Sequence, residues 1–204
     1  MITKNSKIFI AGHNGLVGNA VYRKLKSKKY KRLIVENKKK LDLLDTKKVD
    51  NFFKKKKPDF LIMCAAKVGG ILENKKYQLD FLLNNINIQN NLLLAAKKYN
   101  VKRTIFLGSS CIYPKNSKTP ITEECLMNGK LEKTNEAYAI AKIAGIKHCS
   151  ILFEKFDQDI VCLMPTNLYG INDNFDIGSS HVIPGLISKF IEAKKNKKDI
   201  VVWG

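Results

Sequence analysis

The sequence predicts an α/β protein with a doubly wound parallel sheet and helices on both of its faces. Short apolar runs alternate along the chain with helix-length amphipathic stretches, which is the pattern of βαβ units. The run at 60–66 is apolar throughout, as is typical of a parallel strand buried on both faces. A glycine-rich turn separates the first apolar run from the first amphipathic stretch. Because crossovers between parallel strands are short and right-handed, these observations predict a doubly wound sheet.

Each element is predicted from its local pattern, taken in chain order. Strands are predicted where apolar residues run together, at 7–11, 32–36, 60–66, 104–109, 160–164 and 200–203, with 160–164 expected in the centre of the sheet. Helices are predicted where apolar residues recur at three- and four-residue intervals, at 16–28, 46–56, 77–99, 138–156 and 182–195. The proline-flanked segment 114–120 and the turn-rich segment 165–180 are predicted loops.

The charge composition argues against a specific nucleic-acid partner. The 204 residues carry 37 Lys and Arg against 18 Asp and Glu, a formal net charge of +19. Only Arg23, Arg32 and Arg103 are arginines, whereas base-reading surfaces favour clustered arginine for its planar fork. The lysine runs at 38–40, 54–57 and 194–198 fall at helix ends and loops. They are interpreted as solvated surface, with polyanion binding kept as a minor alternative.

Cysteine usage and hydropathy point to a reduced, cytoplasmic protein. The five cysteines are Cys64, Cys111, Cys125, Cys149 and Cys162. Their odd number and the absence of a CxxC pair predict neither a disulfide framework nor a metal site. The first residues lack the apolar stretch of a secretion signal, and no run of about 18 apolar residues predicts a membrane span.

The glycine turn has the spacing GxxGxxG, at Gly12, Gly15 and Gly18. The first glycine permits a tight turn, the second lets backbone approach a pyrophosphate, and the third lets helix and strand pack closely. The helix that follows points its N–H groups at the phosphates. This turn predicts a Rossmann-like dinucleotide site. The predicted phosphate-facing residues are Gly12, His13, Asn14, Gly15, Leu16, Val17 and Gly18.

The residues after the second strand leave the choice between NAD and NADP open. A carboxylate such as Glu36 usually accepts hydrogen bonds from the adenosine ribose and repels a 2′-phosphate. Lys38 and its lysine neighbours at 39 and 40 are positioned to neutralise such a phosphate instead.

A candidate proton relay follows from Tyr138 and Lys142, which stand four residues apart on a predicted helix. This spacing places both side chains one turn apart on the same face. A neighbouring lysine cation is expected to lower the pKa of the phenol, so that Tyr138 exchanges protons near neutral pH. Ser109, at the end of the preceding strand, is predicted to hydrogen-bond the carbonyl group that Tyr138 protonates.

Serine, tyrosine and lysine in this order resemble the proton relay of the short-chain dehydrogenases. Five blocks resemble the GDP-L-fucose synthases, a family in the extended branch of that group: AAKVGGI at 65–71, LGSSCIYP at 107–114, YAIAKIAG at 138–145, MPTNLYG at 164–170 and SHVIP at 180–184. The resemblance implies an NADPH-dependent enzyme acting on a GDP-sugar. It implies inversion of C3 and C5 of GDP-4-keto-6-deoxy-D-mannose, followed by reduction at C4.

The resemblance also implies roles for individual residues. Cys111 and His181 would be the acid and base of the epimerisation, beside Ser109, Tyr138 and Lys142 as the reductase set. The implied cofactor contacts beyond the glycine turn are Lys38, Leu107, Gly108, Ser109, Ser110, Lys142, Pro165, Thr166, Asn167, Leu168 and His181. Lys189 and Trp203 match positions that hold the GDP-sugar, and Asn14 replaces a basic residue that is frequent in the turn.

Two regions are predicted: residues 1–170 as an NADP-binding, Rossmann-like domain and residues 171–204 as the beginning of a small substrate-binding region. Because the family continues beyond this length, most of that second domain is expected to be missing and the chain to be truncated. The alternatives are another nucleotide-sugar epimerase or reductase and a non-catalytic NADP-binding module. The helices at 77–99 and 139–156 are where a homodimer is expected to form.

Overall fold

The computed structural model describes residues 2–200 and residue 202, in which strands and helices alternate. The strands are β1 (Lys7–Ala11), β2 (Arg32–Ile34), β3 (Phe60–Met63), β4 (Arg103–Leu107) and β5 (Ile160–Leu163). The helices are α1 (Leu16–Ser27), α2 (Thr46–Lys56), α3 (Ile71–Lys76), α4 (Gln78–Lys98), α5 (Glu136–Phe156) and α6 (Val182–Asn196). Short 3₁₀ turns lie at Ser110–Ile112 and Glu123–Cys125.

All five strands are parallel and form one sheet in the order β2-β1-β3-β4-β5. The direction of winding reverses between β1 and β3, where ligands of doubly wound sheets bind. Right-handed crossovers place α1 on one face and α2, α4 and α5 on the other. In agreement, α4 packs against both α2 and α5. The predicted fold class is therefore confirmed.

The hydrophobic core lies between the sheet and the helices α2, α4 and α5. Phe9, Phe53 and Phe106 are almost fully buried, together with Leu61 of β3 and with Leu92 and Leu93 of α4. The Phe53 ring lies with its edge toward Phe9, at a centroid distance of 5.8 Å. At Gly145, α5 approaches so closely that an added Cβ would lie 2.5 Å from Phe106 Cζ. This packing holds α5 firmly against β4, which matters for the site below.

Local signals fix where the elements begin and end. Asp45 precedes α2 and accepts a 3.0 Å hydrogen bond from the Lys48 N–H, which caps the helix. Strand β3 ends at Met63, three residues before the apolar run does, because its neighbour β1 stops at Ala11 and the chain turns at Gly12.

One helix of the structure was not predicted, and two predictions concern the last strands of the sheet. Helix α3 was not predicted, since its six residues, ILENKK, are too few to show a periodicity. Among the described residues, strand β5 pairs only with β4, and Val161 and Leu163 are exposed. A central position for β5 remains a prediction. The predicted strand at 200–203 falls mostly on residues outside the described part of the chain.

Two features of the described residues bear on function. Within 2–200 and 202, no helix is both long and apolar enough to cross a membrane. Nor does this part of the chain contain a group of three or more His, Cys, Asp or Glu side chains placed to hold a metal ion.

Candidate active site

The loops that follow β1, β3, β4 and β5 meet at the carboxyl edge of the sheet. Gly12 begins the loop after β1, and an added Cβ there would lie 2.6 Å from the Ala65 backbone nitrogen in the loop after β3. Gly12 also has a φ of +86°, which favours glycine over any residue with a side chain. At Gly18, in α1, an added Cβ would overlap the Gly12 carbonyl oxygen. These two glycines are required by the packing of the turn itself.

Gly15 differs from its two neighbours because the protein does not fill the space beside it. An added Cβ there would meet only the Gly12 carbonyl oxygen, at an ordinary 3.6 Å. Gly15 is the N-cap of α1, makes no side-chain cap hydrogen bond, and no acidic residue follows in the first turn. The positive end of α1 is thus open to an anion. The residues present fit the pyrophosphate of a dinucleotide cofactor.

The loops after β4 and β5 are joined to each other and reach α1. The Ser110 N–H donates to the Pro165 carbonyl oxygen over 3.2 Å, and the Gly108 N–H donates to Leu163 over 2.8 Å. Farther along, an added Cβ on Gly170 would lie 3.6 Å from Leu16 Cδ1 at the start of α1. The predicted cofactor residues of the two loops are therefore brought to the same edge as the glycine turn.

Lys142 and Tyr138 lie one turn apart on α5, as the spacing predicted. Lys142 is only 5% exposed, and its Nζ donates a 2.8 Å hydrogen bond to the Leu107 carbonyl oxygen at the end of β4. The same Nζ lies 5.7 Å from the centre of the Tyr138 ring. Burial lowers the pKa of Lys142 to about 8, against the opposing effect of the nearby Cys111 and Cys64 thiols.

The pKa of Tyr138 moves in the direction opposite to the one expected from the sequence. Burial raises the pKa of the phenol, the neighbouring Cys111 adds to that rise, and a hydrogen bond from Ser109 opposes it. The expectation that Lys142 would lower this pKa is wrong here, because desolvation of the phenolate outweighs other effects in this enclosed position. The ring packs edge-on against Phe81 at 6.4 Å.

Ser109 and Cys111 complete a cluster with Tyr138 and Lys142. Ser109 follows β4 and precedes the 3₁₀ turn Ser110–Ile112, and its Oγ accepts a 3.4 Å hydrogen bond from the Cys111 N–H. The Cys111 thiol is half-buried. Burial raises its pKa, while the Ser109 hydroxyl and the Lys142 charge act in the opposite direction.

His181 stands apart from this cluster. It is the exposed N-cap residue of α6, its side chain makes no cap hydrogen bond, and its carbonyl oxygen accepts from the Gly185 N–H over 3.0 Å. Among the described residues, no hydrogen bond or ring contact joins it to Cys111 or Tyr138. A role for His181 remains a prediction.

The remaining predicted ligand residues lie at the margins. Glu36 follows β2, and its Oε1 is 4.0 Å from Lys56 Nζ. Lys38 is exposed in the turn after β2. Lys189 is half-buried in α6, and Trp203 lies outside the described residues.

Sequence reasoning missed two buried polar residues of α4 that hold the site together. The Asn85 side chain accepts from the Lys67 N–H at 2.8 Å and donates to the Lys67 carbonyl oxygen at 3.0 Å, which fixes the loop after β3. Gln89 donates from Nε2 to the Ala141 carbonyl oxygen at 2.8 Å, next to Lys142. The available signal was their four-residue spacing, which places both residues on the same helix face as the apolar Phe81 and Leu92.

The glycine turn lies at the switch point of a doubly wound sheet, beside a tyrosine and a lysine on one helix face. This combination is typical of enzymes that use a nicotinamide dinucleotide. The chain belongs to the NAD dependent epimerase/dehydratase family, whose profile matches residues 8–204.

Individual relatives show which members of this family the chain resembles. The chain is 49% identical over 205 residues to GDP-L-fucose synthase 1 of Arabidopsis thaliana, covering 100% of this chain and 64% of that protein. It is 47% identical over 199 residues to the GDP-L-fucose synthase of Escherichia coli strain K12, covering 97% of this chain and 62% of that enzyme. It thus spans less than two thirds of both relatives. A solved GDP-L-fucose synthetase from Naegleria fowleri, bound to NADP, superposes with a TM-score of 0.88 at 34% identity, covering 100% of this chain and 67% of that one.

Proposed function

We propose that this chain carries the cofactor site and most of the catalytic residues of an enzyme that converts GDP-4-keto-6-deoxy-D-mannose to GDP-L-fucose. The reaction is a 3,5-epimerisation followed by an NADPH-dependent reduction of the 4-keto group. The observation that carries the proposal is the cluster of Ser109, Cys111, Tyr138 and Lys142 beside an open helix N-terminus. The names of the relatives support the substrate.

For the reduction, a dinucleotide held by these residues would supply the hydride that C4 receives. Tyr138, which its raised pKa keeps protonated at neutral pH, donates its phenolic proton to the C4 oxygen. The Ser109 hydroxyl hydrogen-bonds the same oxygen and orients the ketone. Lys142, whose pKa burial lowers to about 8, remains mostly protonated at neutral pH, and its charge stabilises the phenolate left behind.

In the epimerisation, Cys111 and His181 act on the carbons beside the ketone. One group removes the α-proton, and the other returns a proton to the opposite face of the same carbon. The negative charge that develops on the C4 oxygen between these two steps is stabilised by hydrogen bonds from Tyr138 and Ser109. Cys111 lies in the same cluster as both donors, which supports its assignment.

The cofactor that we propose is NADPH. Glu36 lies within ion-pair distance of Lys56, which partly neutralises the carboxylate that would repel a 2′-phosphate. Lys38 is exposed in the adjoining turn and supplies a positive charge for that phosphate. The glycine turn, Lys142 and the residues 107–110 and 165–168 would hold the rest of the dinucleotide.

The division of labour along the chain follows from these placements. We propose residues 1–170 as the cofactor-binding domain and residues 171–204 as the beginning of the region that binds the GDP-sugar, with Lys189 and Trp203 among its ligands. The absence of a specific nucleic-acid partner and a cytoplasmic, reducing location stay predictions of the sequence.

We also propose that α4 and α5 form the contact of a homodimer. Leu83 and Leu94 on α4 and Ile140 and Ile151 on α5 are large apolar side chains that are about half exposed. Two adjacent helices with such residues on their outer faces match the apolar surface of a dimer interface.

The decisive experiment is to supply GDP-4-keto-6-deoxy-D-mannose and NADPH and to follow both NADPH oxidation and the stereochemistry of the product. Inversion at C3 and C5 with reduction at C4 supports the proposal. Reduction without inversion would identify a simple 4-reductase, and NADPH binding without turnover would identify a binding module. Either of these outcomes contradicts the dual activity for this chain.

A further inference from the structure

Gly70, in the loop between β3 and α3, contacts the segment that leads into His181. The Gly70 N–H donates a 3.0 Å hydrogen bond to the Ser179 carbonyl oxygen. An added Cβ on Gly70 would lie 2.5 Å from the Ser180 carbonyl oxygen and 3.2 Å from that of Ser179. The segment before His181 therefore lies directly on the face of Gly70 where any other residue would carry its side chain.

The conformation of Gly70 does not itself require glycine. Its φ of −67° and ψ of −180° are extended values that any residue adopts. The only demand for glycine at this position is the close approach of the Ser180 carbonyl. Glycine is therefore required at residue 70 by its contact with Ser180 and not by the conformation of its own loop.

Both sides of the contact are anchored. Asn74, on α3, is buried and donates from Nδ2 to the carbonyl oxygens of Gly69 and Gly70, at 2.8 and 3.1 Å. On the other side, Ser180 packs against α6, since an added Cβ on Gly185 would lie 2.7 Å from Ser180 Oγ.

The same loop is tied to the catalytic cluster. Asn85 holds Lys67 in that loop through both backbone groups, and it also donates to the Phe81 carbonyl oxygen at 2.7 Å. The Phe81 ring contacts Tyr138 edge-on. A continuous set of contacts therefore runs from the tyrosine of the relay through the loop after β3 to the residue before His181.

We propose that Gly70 is a positioning residue that sets the location of His181 relative to the relay. This inference rests on the proposed function, because it matters to catalysis only if His181 transfers a proton. An alanine at residue 70 must push the Ser180 carbonyl away by about 1 Å to reach an ordinary contact distance. A displacement of that size in a reacting group costs about 100-fold in rate.

The test compares Gly70→Ala with Gly178→Ala in the full chain. Gly178 is the matched control because it lies in the same segment as Ser180, and an added Cβ there meets only Asp176 Oδ2, at 3.5 Å. Asn74→Ala is a second variant that loosens the Gly69–Gly70 turn without adding bulk. Far-UV circular dichroism and the melting temperature establish that each variant is folded.

The first readout is amide hydrogen exchange of peptides spanning 176–187, which needs no substrate. Faster exchange in Gly70→Ala and Asn74→Ala, with Gly178→Ala like the wild type, is expected. Unchanged exchange in both of the first two variants overturns the contact between Gly70 and this segment.

The second readout is the incorporation of solvent deuterium at C3 and C5 of the keto-sugar in D₂O, measured beside NADPH affinity. Gly70→Ala is expected to slow incorporation by about 10- to 100-fold while NADPH affinity stays within about twofold. Normal incorporation despite faster amide exchange overturns the positioning role. No incorporation by the wild type would contradict the proposed function instead, and the amide exchange still decides whether the contact exists.

Discussion

Lys142 donates a hydrogen bond from its Nζ to the Leu107 carbonyl oxygen over 2.8 Å, which ties the relay helix α5 to the end of β4. The bond is buried, since only 5% of the Lys142 surface is exposed to solvent. A buried ammonium with one strong acceptor is costly to keep charged, and this accounts for its lowered pKa. The same burial that makes this hydrogen bond part of the core also lowers the pKa of Lys142.

The first prediction concerns the pH dependence of stability. The pKa of Lys142 is about 8 in the folded protein and 10.5 ordinarily, so between these values the unfolded chain binds more protons than the folded one. Stability therefore rises with pH in this window. The free energy of unfolding of the wild type minus that of Lys142→Met is expected to increase by on the order of 1–3 kcal/mol from pH 8 towards pH 10.5.

Urea unfolding of both proteins at half-unit pH steps measures this difference. Lys147→Met is the matched control, because Lys147 is exposed on the same helix. A difference for Lys142→Met that stays flat or falls with rising pH contradicts the lowered pKa.

The second prediction separates two glycines of one turn. Gly12→Ala places a side chain at a φ of +86° and against the Ala65 backbone. It should lower the free energy of unfolding by about 1–3 kcal/mol. Gly15→Ala should change stability by less than about 1 kcal/mol, because its backbone is extended and its surroundings are open. It should nevertheless weaken NADPH binding by at least about tenfold, because the new methyl group occupies the space proposed for the pyrophosphate.

Thermal melting and NADPH fluorescence titration measure these two effects. Equal NADPH affinity of Gly15→Ala and the wild type would show that the pyrophosphate does not lie against this residue.

The third prediction is that Tyr138→Phe lowers the rate of NADPH oxidation by about 10²- to 10⁴-fold, because the proton donor is lost. The fold should be retained, since the phenyl ring keeps its edge-on contact with Phe81. Tyr169→Phe is the control, as Tyr169 is exposed in the loop after β5. Steady-state kinetics with saturating NADPH decide this point, and near-normal turnover in Tyr138→Phe rules out the assigned donor.

The sequence was sufficient for features set by local pattern. The strand at 7–11 and the helix at 46–56 match the structure because periodicity and caps act over a few residues. The pairing of β5 with β4 depends on how distant segments come together, and no local pattern contains that information. The pKa of Tyr138 likewise depends on burial by distant elements. The hydrogen bonds from the Asn85 side chain to the Lys67 backbone join residues 18 positions apart.

The fourth prediction concerns cofactor choice. If Lys38 neutralises a 2′-phosphate, Lys38→Ala should weaken NADPH binding by about 3- to 10-fold and leave NADH binding unchanged. The difference between the two cofactors should shrink with added salt, since Lys38 is exposed. Lys26→Ala is the control, because Lys26 is an exposed lysine in the last turn of α1, at the opposite end of that helix from the glycine turn. Equal losses of NADPH and NADH affinity in Lys38→Ala would show that this lysine does not discriminate between the cofactors.

The last prediction links the thiol of Cys111 to Lys142. Burial raises the pKa of Cys111, so its alkylation by iodoacetamide should be slow at pH 7 and should accelerate steadily as pH rises. The Lys142 charge opposes that rise, and Lys142→Met should therefore slow the alkylation of Cys111 further at pH 8. Peptide mass spectrometry resolves Cys111 from the other cysteines, with Cys111→Ser as the blank. Rapid alkylation at pH 7, or faster alkylation in Lys142→Met, would contradict this arrangement of the thiol and the ammonium.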